Sequence, residues 1–409
     1  MTDRVILHCD LNNFYASAEC ITHKEWRDVP LAVCGNPELR HGVVLAKNEI
    51  AKKAGIKTGD VIWQAKQKAP DLVTVPPHFE LYMAYSKQMF ELYQKYTDMV
   101  EPFGADECWL DVTGSQKLFG SGEKIADEIR ARVKKESGLT CSVGVSFNKV
   151  FAKLGSDLKK PDATTVIDRE NYKKRIWGLA ANEMLMVGRK TYEHLLKLNI
   201  VTIGDLANAD AAVLKSHFGI NGLKMKECAA GNDTDPVREA VKSREVKSIG
   251  HGMTAVRDIE TIEDARDLIY YLSEKVAARM RKGGYRGSLV SVGMRDSKLF
   301  SIVRQRNLPM PTYSSTEIAE CALKVFEDNW NGDPMRTVTV NMSKLEPCDA
   351  PHQLSFFTDD KRNDKLEKLD ETLDKLTRKY GSVVHRASLI GKDFIYDKTD
   401  AEDFLPFQR

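Results

Sequence analysis

Two adjacent acidic residues, Asp106 and Glu107, stand between apolar segments in the stretch FGADECWLDV at residues 103–112. The segment from Cys108 to Val112 is apolar and β-prone, which predicts a buried strand that begins directly after the acids. Burying an unpaired carboxylate is costly, so something must offset both charges. Water at an exposed turn, basic partner residues and a bound metal ion are the open alternatives.

The composition of the 409-residue chain is that of an ordinary globular protein, with 42% hydrophobic residues, 29% charged residues and a formal net charge of +2. This near-neutral charge does not by itself predict a nucleic-acid partner, so any basic surface must be local. No run of about 20 apolar residues predicts a membrane span, and the N-terminus lacks a signal-peptide pattern. The eight cysteines are scattered without a C-x-x-C pair, which argues against structural zinc. We therefore expect a protein of the reducing cytoplasm.

Alternating strand and helix signals in the first part of the chain predict a mixed α+β core. After Pro161 the pattern changes to short helices broken by glycine, and the polar residues 232–247 predict a linker. Beyond the linker, the order strand, helix, strand, strand, helix, strand predicts a small independent βαββαβ domain. The pattern therefore predicts an α+β multidomain protein.

Asp10 is a further carboxylate of interest because it ends the apolar, β-prone segment VILHC. Neighbouring strand residues point to opposite faces, so Asp106 and Glu107 serve one site only at a turn or strand end, which Pro102 and Gly104 would provide. Carboxylates at paired strand ends would suit Mg²⁺, and two such ions would promote an in-line phosphoryl displacement. A solvated hairpin is the alternative, and spacing alone does not make Asp10 a partner.

Lysines form two clusters that suit phosphate binding, because flexible ammonium groups bind phosphate as point charges. Solvated helix faces are the alternative interpretation. The clusters consist of Lys149, Lys153, Lys159 and Lys160, and of Lys47, Lys52 and Lys53.

Three motifs, in the same order along the chain, resemble those of Y-family, translesion-type DNA polymerases. CDLNNFYASAE at 9–19 resembles the N-terminal motif, and DECWLDVT at 106–113 resembles the catalytic hairpin. SVGVSFNKVFAKL at 142–154, with Lys160 and Pro161, resembles the third signature. The resemblance extends to about residue 345 and includes traits of the bacterial polymerase IV and polymerase V catalytic-subunit branches.

The resemblance implies a right-hand polymerase. The expected parts are a palm (1–10 and 77–165), fingers (11–76), a helical thumb with a helix-hairpin-helix (166–231), a linker (232–247), a βαββαβ little finger (248–346) and a C-terminal tail (347–409). The implied activity is template-directed, low-fidelity translesion synthesis without proofreading, from a dNTP onto a primer 3′-hydroxyl. A catalytically inactive, polymerase-like protein that binds DNA and the clamp is the alternative.

Residue by residue, the resemblance makes Asp10, Asp106 and Glu107 the catalytic carboxylates that bind two Mg²⁺ ions. It adds the Leu11 carbonyl as a backbone metal ligand. The implied dNTP-binding residues are Asn13, Phe14, Tyr15, Lys52 and Lys160. Tyr15 would be the steric gate, whose ring blocks a ribose 2′-hydroxyl.

Departures from the family pattern lie close to these residues. Gly104 and Ala105 replace a common Ser-Ile, and this small pair predicts a looser hairpin. Cys108 replaces a common alanine. Asn12 replaces a frequent aspartate that is not a metal ligand, so catalysis should survive. In the fingers, Ala46, Glu49 and Lys52 stand for Thr, Tyr and Arg, which predicts a weaker grip on the triphosphate.

Primer-template DNA is the implied macromolecular substrate. Met186-Val187-Gly188 has one glycine fewer than the usual G-x-G of a helix-hairpin-helix, and an ordinary αα-hairpin is the alternative. The basic excess from Arg279 to Arg306 predicts a phosphate track on a strand pair and its approach. The predicted DNA-binding residues are Gly188, Arg189, Lys190, Arg279, Arg281, Arg286, Arg295, Arg304 and Arg306.

The segment QLSFF at 353–357 places two adjacent aromatics in a polar tail. It resembles the pentapeptide that binds the bacterial sliding clamp, and local packing onto the little finger is the alternative. The predicted clamp-binding residues are Gln353, Leu354, Phe356 and Phe357. We expect the chain to be a monomer.

Overall fold

The computed structural model describes residues 4–239, 246–351 and 360–380. Their contacts divide them into two compact units, one formed by residues 4–35 and 43–239 and the other by 36–42, 246–351 and 360–380. Within these described ranges, no helix has the length and apolar character needed to cross a bilayer. The predicted clamp peptide at 353–357 lies outside the described residues.

A five-stranded sheet forms the core of the first unit, with strand order β5-β6-β1-β7-β8. Both β1 and β7 are buried along their whole length, because helices cover both faces of the sheet. The strands are β1 (Ile6–Leu11), β5 (Val100–Pro102), β6 (Glu107–Asp111), β7 (Cys141–Ser146) and β8 (Thr164–Ile167).

Helices on one face of this sheet bury its apolar residues, such as Leu7, Leu110 and Val143, in one large core. On the other face, helix α7 lies so close that a Cβ on Gly144 would be 1.9 Å from the Ala152 carbonyl oxygen. Glycine at this position therefore sets the distance between α7 and the strands. The helices are α1 (Phe14–Thr22), α4 (Phe79–Tyr93), α5 (Gln116–Phe119), α6 (Gly122–Ser137) and α7 (Lys149–Leu158).

Two smaller groups of elements complete the first unit. A three-stranded sheet with order β3-β2-β4 and its own small core lies in the segment predicted as fingers. Its elements are β2 (Leu31–Cys34), β3 (Val44–Lys47), β4 (Val73–Val75), α2 (Glu49–Lys53) and α3 (Ile62–Lys68). Short helices follow in the predicted thumb, namely α8 (Tyr172–Ile176), α9 (Arg189–Lys197), α10 (Ile203–Asn208), α11 (Ala211–Phe218) and α12 (Ile220–Ala229).

The predicted linker is attached to the first unit over its initial part. Val237 is 1% exposed in a small cluster with Ile6 and Trp109. The Arg238 amide donates to the buried carboxylate of Glu101 at 3.0 Å. The described residues 232–239 of the predicted linker therefore belong to the first unit.

The second unit contains the predicted βαββαβ order and a four-stranded antiparallel sheet, β11-β10-β12-β9. Its helices α13 and α14 pack on one face, over buried residues such as Val290, Val292 and Val340. A further helix, α15, follows in the tail. The elements are β9 (Ser248–Ile259), α13 (Ile262–Gly283), β10 (Tyr285–Asp296), β11 (Ser301–Thr312), α14 (Ser315–Glu327), β12 (Met335–Pro347) and α15 (Asp360–Tyr380).

Candidate active site

Carboxylates meet where β1 ends and β6 begins. Asp10 and Glu107 are cross-strand partners. Asp106 precedes β6 by one residue, and its carbonyl accepts a hydrogen bond of 3.1 Å from the Leu11 amide. This position in the turn frees the Asp106 side chain from the alternation that would otherwise point it away from Glu107. The structure thus brings together the carboxylates that the sequence predicted.

Two lysines lie among these carboxylates. Lys153 in α7 places Nζ 2.7 Å from Glu107 Oε2 and 3.4 Å from Asp10 Oδ2. Lys160 Nζ is 2.8 Å from Asp10 Oδ2 and 2.8 Å from Asp157 Oδ1. Burial opposes the charge of Lys160, but Asp10 outweighs burial and raises the pKa of this lysine. The sequence singled out Lys160 for the triphosphate and gave Lys153 no role of its own.

The surroundings stabilise the charged form of Glu107 but disfavour the charged form of Asp106. Burial, then the charges of Asp10 and Glu107, raise the pKa of Asp106 to about 7. Burial also disfavours the Glu107 charge, but a hydrogen bond from His8 and the Lys153 ammonium hold the pKa of Glu107 at about 2. Within the described ranges Asp106 makes no ion pair. A cation beside Asp106 would relieve this imbalance.

The donor set fits a hard divalent cation in its chemistry, because such ions prefer carboxylate oxygens. Glu107 Oε2 is buried, and its partners are the Lys153 ammonium at 2.7 Å and His8 Nε2 at 3.3 Å. In the described part of the chain, however, no three His, Cys, Asp or Glu side chains are close enough as they stand to enclose an ion. The Lys153 ammonium lies between Asp10 and Glu107, so metal binding requires this group to move away.

The sequence analysis missed two buried polar residues behind Glu107. His8 is fully buried, with Nε2 3.3 Å from Glu107 Oε2 and Nδ1 2.9 Å from Ser156 Oγ. The period of two along β1 places His8 on the same face as Asp10, and this signal was available in the sequence. Ser156 follows Lys153 by three residues, which places both on one side of α7.

Tyr15, the predicted steric gate, lies in an aromatic group. Its ring stacks on Tyr82 with centroids 4.2 Å apart and meets Phe79 edge-on. Burial, and then the charge of Asp106, raises the pKa of Tyr15. The Tyr82 hydroxyl donates to the buried carboxylate of Glu19, so the stacking partner of Tyr15 is itself fixed.

The predicted triphosphate contacts in the fingers include an acid. Asn13, with φ +50°, donates from Nδ2 to Glu49 Oε1 at 2.8 Å. The same oxygen lies 3.5 Å from Lys52 Nζ. Lys52 is thus engaged by Glu49, one of the departures from the family pattern. Phe14 is buried in the core beside Tyr15, so only its backbone remains as a possible contact.

The other departures have visible consequences. A Cβ on Gly104 would be 3.5 Å from Asp106 Oδ1, an ordinary contact, so the turn does not require glycine for space. Cys108 is buried in the main core. The Asn12 side chain donates to Ser142 Oγ and accepts from the Asp162 amide, each at 2.9 Å or less. Asn12 thus fixes the segment that follows Lys160.

The predicted DNA-binding arginines of the second unit lie on different sides of its sheet. Arg304 is the cross-strand partner of Val292, and Arg306 that of Val290; both valines are buried against the helices. These two arginines therefore stand on the helix-covered side. Arg295 pairs with Ser301 on the opposite, open side.

Arg281 and Arg286 are engaged by the tail helix α15. Arg281, with its side chain 10% exposed, donates to both carboxylate oxygens of Asp374 at 2.6 and 2.8 Å. Arg286 donates to Glu367 at 2.9 Å. A DNA contact by either guanidinium would require these pairs to open. Arg279 donates to His251 Nδ1 at 2.8 Å.

The predicted thumb contacts lie at the start of α9. Met186 has φ +78°, a backbone conformation that a glycine would adopt without strain. Gly188 is the N-cap of α9, and Arg189 and Lys190 are exposed in its first turn. The α9 N-terminus thus presents free amides and basic side chains, as a phosphate contact requires.

Comparison with known proteins matches both units to one family. Residues 9–157 match the impB/mucB/samB family, and residues 246–356 match the C-terminal domain of that family. The DNA polymerase IV of Acetivibrio thermocellus is 48% identical over 391 residues, which cover 95% of this chain and 98% of that protein. DNA polymerase IV 2 of Bacillus subtilis is 35% identical over 398 residues, 95% of each chain.

The same likeness is seen in the fold. A solved Y-family DNA polymerase chimera covers 83% of this chain and 98% of its own, with a TM-score of 0.74 and 21% identity. This confirms the predicted α+β right-hand polymerase fold. The chain therefore belongs to the Y family of translesion DNA polymerases.

Proposed function

We propose that this translesion DNA polymerase performs nucleotidyl transfer at Asp10, Asp106 and Glu107. The meeting of these carboxylates at the ends of β1 and β6, with the pKa of Asp106 raised to about 7, is the observation that carries the proposal. Perturbed acids at the edge of a sheet are typical of catalytic sites. The alternative of an inactive DNA- and clamp-binding protein is not supported, because full-length relatives are polymerases.

The family depends on divalent metal ions, and we propose two Mg²⁺ ions held by Asp10, Asp106, Glu107 and the Leu11 carbonyl. When bound, such a pair of ions lowers the pKa of the primer 3′-hydroxyl and stabilises the oxygen that leaves with pyrophosphate. The protein contributes fixed carboxylates, and the short β1–β6 register limits how far they can separate.

Lys153 and Lys160 balance the carboxylates before the substrate binds. Their ammonium groups lie within 3.4 Å of Asp10, so they hold the site together against repulsion between acids. The proposed role of Lys160 after dNTP binding is to neutralise triphosphate charge, for which its position beyond the end of α7 suits it. When dNTP binds, the Lys160 ammonium would move from the Asp10 carboxylate to a phosphate, and this move would release the Asp10 carboxylate.

The triphosphate and sugar of the dNTP are proposed to bind beside Asn13, Phe14 and Tyr15. Backbone amides at the start of α1 would contact phosphate oxygens, and Lys52 would add charge. The Tyr15 ring, held by Tyr82 and Phe79, would occupy the space of a ribose 2′-hydroxyl. Discrimination by shape against one hydroxyl is worth about 10²-fold.

Tyr15→Ala tests the steric gate. We expect the preference for dNTP over the matching ribonucleotide to fall by on the order of 10²-fold, because the ring alone excludes the hydroxyl. Single-nucleotide insertion kinetics with both substrates measure this ratio, and Tyr85→Ala, a tyrosine of α4 that is partly buried against the same core, serves as the control. An unchanged ratio would exclude Tyr15 as the gate.

The DNA path is proposed to run along the α9 N-terminus and the second unit. Gly188, Arg189 and Lys190 would bind phosphate at the thumb. In the second unit, Arg295 on the open face is the best placed of the predicted arginines, with Arg304 at the edge strand. Arg279, Arg281, Arg286 and Arg306 already have protein partners and are weaker candidates.

The wider context of the enzyme is also proposed. Gln353, Leu354, Phe356 and Phe357 would bind a bacterial sliding clamp, the enzyme would act as a monomer, and its free cysteines suit the cytoplasm. Replacing Phe356 and Phe357 by alanine should abolish capture by the clamp while primer extension persists. Capture at the wild-type level would contradict the clamp assignment.

Primer extension with Mg²⁺ tests the proposed chemistry. Wild-type protein should extend a primer on an undamaged template and past a template lesion, and Asp106→Ala should not. If the variant extends the primer as well as the wild type, the assignment of the carboxylates is wrong. Circular dichroism of the variant shows whether the fold is retained.

A further inference from the structure

Tyr15 is supported by a second tyrosine that solvent does not reach. The Tyr15 ring is partly exposed, and the fully buried Tyr82 stacks on it with centroids 4.2 Å apart and ring planes 12° apart. Phe79 meets both rings edge-on, at 6.1 Å from Tyr15 and 6.0 Å from Tyr82. Because Tyr82 lies on the buried side of this close-packed group, the Tyr15 ring retreats from the open side only if Tyr82 moves with it.

The hydroxyl of Tyr82 reaches a carboxylate on the same helix as Tyr15. It donates to Glu19 Oε1, and His78 Nδ1 lies 2.8 Å from the same oxygen. Glu19 follows Tyr15 by four residues, so both side chains lie on one face of α1. Helix α1 therefore contacts Tyr82 at two points, because Tyr15 covers its ring and Glu19 holds the hydroxyl at the end of that ring.

The burial of Glu19 is not explained by packing alone. Its side chain is 0% exposed, and burying a carboxylate is costly in free energy. Among the residues that the structure describes, Glu19 Oε2 has no hydrogen-bond partner. Replacing buried charged groups by apolar ones of similar size is often neutral or stabilising. What the carboxylate provides, and an apolar side chain would not, is one fixed position for the Tyr82 hydroxyl.

We propose that Glu19 and Tyr82 are positioning residues for the selection of deoxyribonucleotides. The hydrogen bond between them fixes the Tyr82 ring, and this ring prevents Tyr15 from retreating when a ribose 2′-hydroxyl approaches. His78 and Phe79, at the start of α4, hold the same group in place. This role rests on the proposed function of Tyr15 as the steric gate, and it adds the residues that make the gate rigid.

A rigid support matters because the gate discriminates by shape alone. A displacement of about 1 Å in a positioning group changes a rate by as much as about 10²-fold. Without its hydrogen bond, Tyr82 tilts more easily and Tyr15 follows it, so a ribonucleotide fits with less strain. A deoxyribonucleotide, which has no 2′-hydroxyl to press on the ring, gains nothing from this movement. The expected signature is therefore a change in sugar selectivity rather than a loss of dNTP insertion.

Tyr82→Phe removes the hydroxyl and keeps the stacked ring. We expect the preference for dNTP over the matching ribonucleotide, measured as the ratio of kcat/KM in single-nucleotide insertion, to fall about 10-fold through faster ribonucleotide insertion. Both substrates are measured on one protein sample, so any misfolded fraction cancels from the ratio. Tyr96→Phe is the matched control, because the Tyr96 hydroxyl also donates to a carboxylate, Glu128 at 2.8 Å, but its ring packs against Phe119.

Two substitutions of Glu19 separate the hydrogen bond from the packing. Glu19→Gln keeps an oxygen that accepts from Tyr82, whereas Glu19→Leu fills the space without an acceptor. We expect the sugar preference to stay near the wild-type value in Glu19→Gln and to fall about 10-fold in Glu19→Leu. Thermal unfolding shows whether both variants fold, and Tyr82→Phe carries the test if Glu19→Leu does not.

The outcomes separate the support from the gate itself. An unchanged preference in Tyr82→Phe, or equal losses in Tyr82→Phe and Tyr96→Phe, would overturn the positioning role. Equal preferences in folded Glu19→Gln and Glu19→Leu would overturn it as well. If Tyr15→Ala lowers the preference and Tyr82→Phe does not, the gate stands and only its proposed support is wrong. If Tyr15→Ala leaves the preference unchanged, the gate assignment fails, and the role of Tyr82 fails with it.

Discussion

Each unit of the molecule contains a buried group of charged side chains, and the two groups differ in how well their charges match. In the first unit, the carboxylate cluster contains an acid, Asp106, that has no cationic partner among the described residues. It consists of Asp10, Asp106, Glu107, Asp157, Lys153 and Lys160. In the second unit, the tail cluster consists of Arg281, Arg286, Glu367, Asp370 and Asp374, and each member is paired.

The tail cluster connects helix α15 to the rest of the second unit through hydrogen bonds and ion pairs. Asp370 accepts hydrogen bonds from both the amide and the hydroxyl of Ser315 at 2.7 and 2.8 Å, at the start of α14. The Tyr313 hydroxyl donates to Glu371 at 2.9 Å. These ion pairs and hydrogen bonds hold α15 in place, and each charged side chain of the tail cluster has a partner of opposite charge. The carboxylate cluster, by contrast, retains an unmatched acid, and a bound cation would remove that cost.

The largest expected effect is a difference in kcat between variants of two acids in the carboxylate cluster. Asp106→Asn should lower kcat for primer extension by at least about 10³-fold, because an amide cannot replace a ligating carboxylate. Asp157→Asn is the matched control, since Asp157 pairs with lysines alone, Lys153 and Lys160, among the residues that the structure describes; we expect a loss below about 10-fold. Single-turnover insertion measures both, and equal effects would contradict the distinction.

The next effect concerns stability in the tail cluster. Arg281→Ala removes the partner of the buried Asp370 and of the partly exposed Asp374, while Asp370 keeps its bonds from Ser315, so we expect a local loss of about 3 kcal/mol. Hydrogen exchange of the β10 amides measures it. Arg306→Ala is the control, because its pair with Asp328 is half-exposed and should contribute less than about 1 kcal/mol. Similar protection in both variants would show that the cluster is not a structural joint.

A smaller effect appears in the pH dependence of metal-free protein. The pKa of Asp106 is raised to about 7, so the unfolded chain releases this proton first as the pH rises from about 4. The contribution of Asp106 to stability is therefore lost between about pH 4 and 7. Because Asp106 is partly exposed, we expect Asp106→Asn to gain only about 2 kcal/mol on the wild type between pH 5 and 8. Urea unfolding in EDTA measures this, and a gain that is equal at both pH values would contradict the raised pKa.

The smallest effect is expected in the fingers. Glu49 holds Lys52 and Asn13, so Glu49→Gln should free the lysine for phosphate and lower the KM for dNTP by about two- to five-fold. Steady-state insertion kinetics measure the KM, and Glu123→Gln, at an exposed position of α6, is the control. A rise in KM would instead show that the carboxylate supports the dNTP site.

Much of the fold was predictable because its signals are local. The strand predicted directly after the paired acids is present as Glu107–Asp111, and the βαββαβ order follows from alternating apolar runs. Asp10, Asp106 and Glu107 were predictable through the family resemblance, since their meeting depends on pairing between distant strands. The spacing of His8 from Asp10, and of Ser156 from Lys153, indicates that each pair shares one face of its element. A histidine in an apolar strand, however, is first interpreted as a core residue.

The interactions of α15 were not predictable in the same way. Its buried face carries Glu367, Asp370 and Asp374, which in sequence indicate a solvated side. Their partners Arg281 and Arg286 lie far back along the chain, in a basic segment that favours DNA. Pairing over such distances leaves no local pattern, so these arginines were interpreted as a phosphate track. The same limit explains why Val237 in the predicted linker was not expected to be buried.

Direct counting of bound Mn²⁺ tests most closely whether metal ions balance the carboxylate cluster. The measurement is an electron paramagnetic resonance titration of protein with dNTP and a dideoxy-terminated primer-template. We predict two tightly bound ions per complex in the wild type and fewer in Asp106→Asn, with the complex itself still formed. The same Mn²⁺ occupancy in both proteins would contradict the assignment of these carboxylates as the metal site.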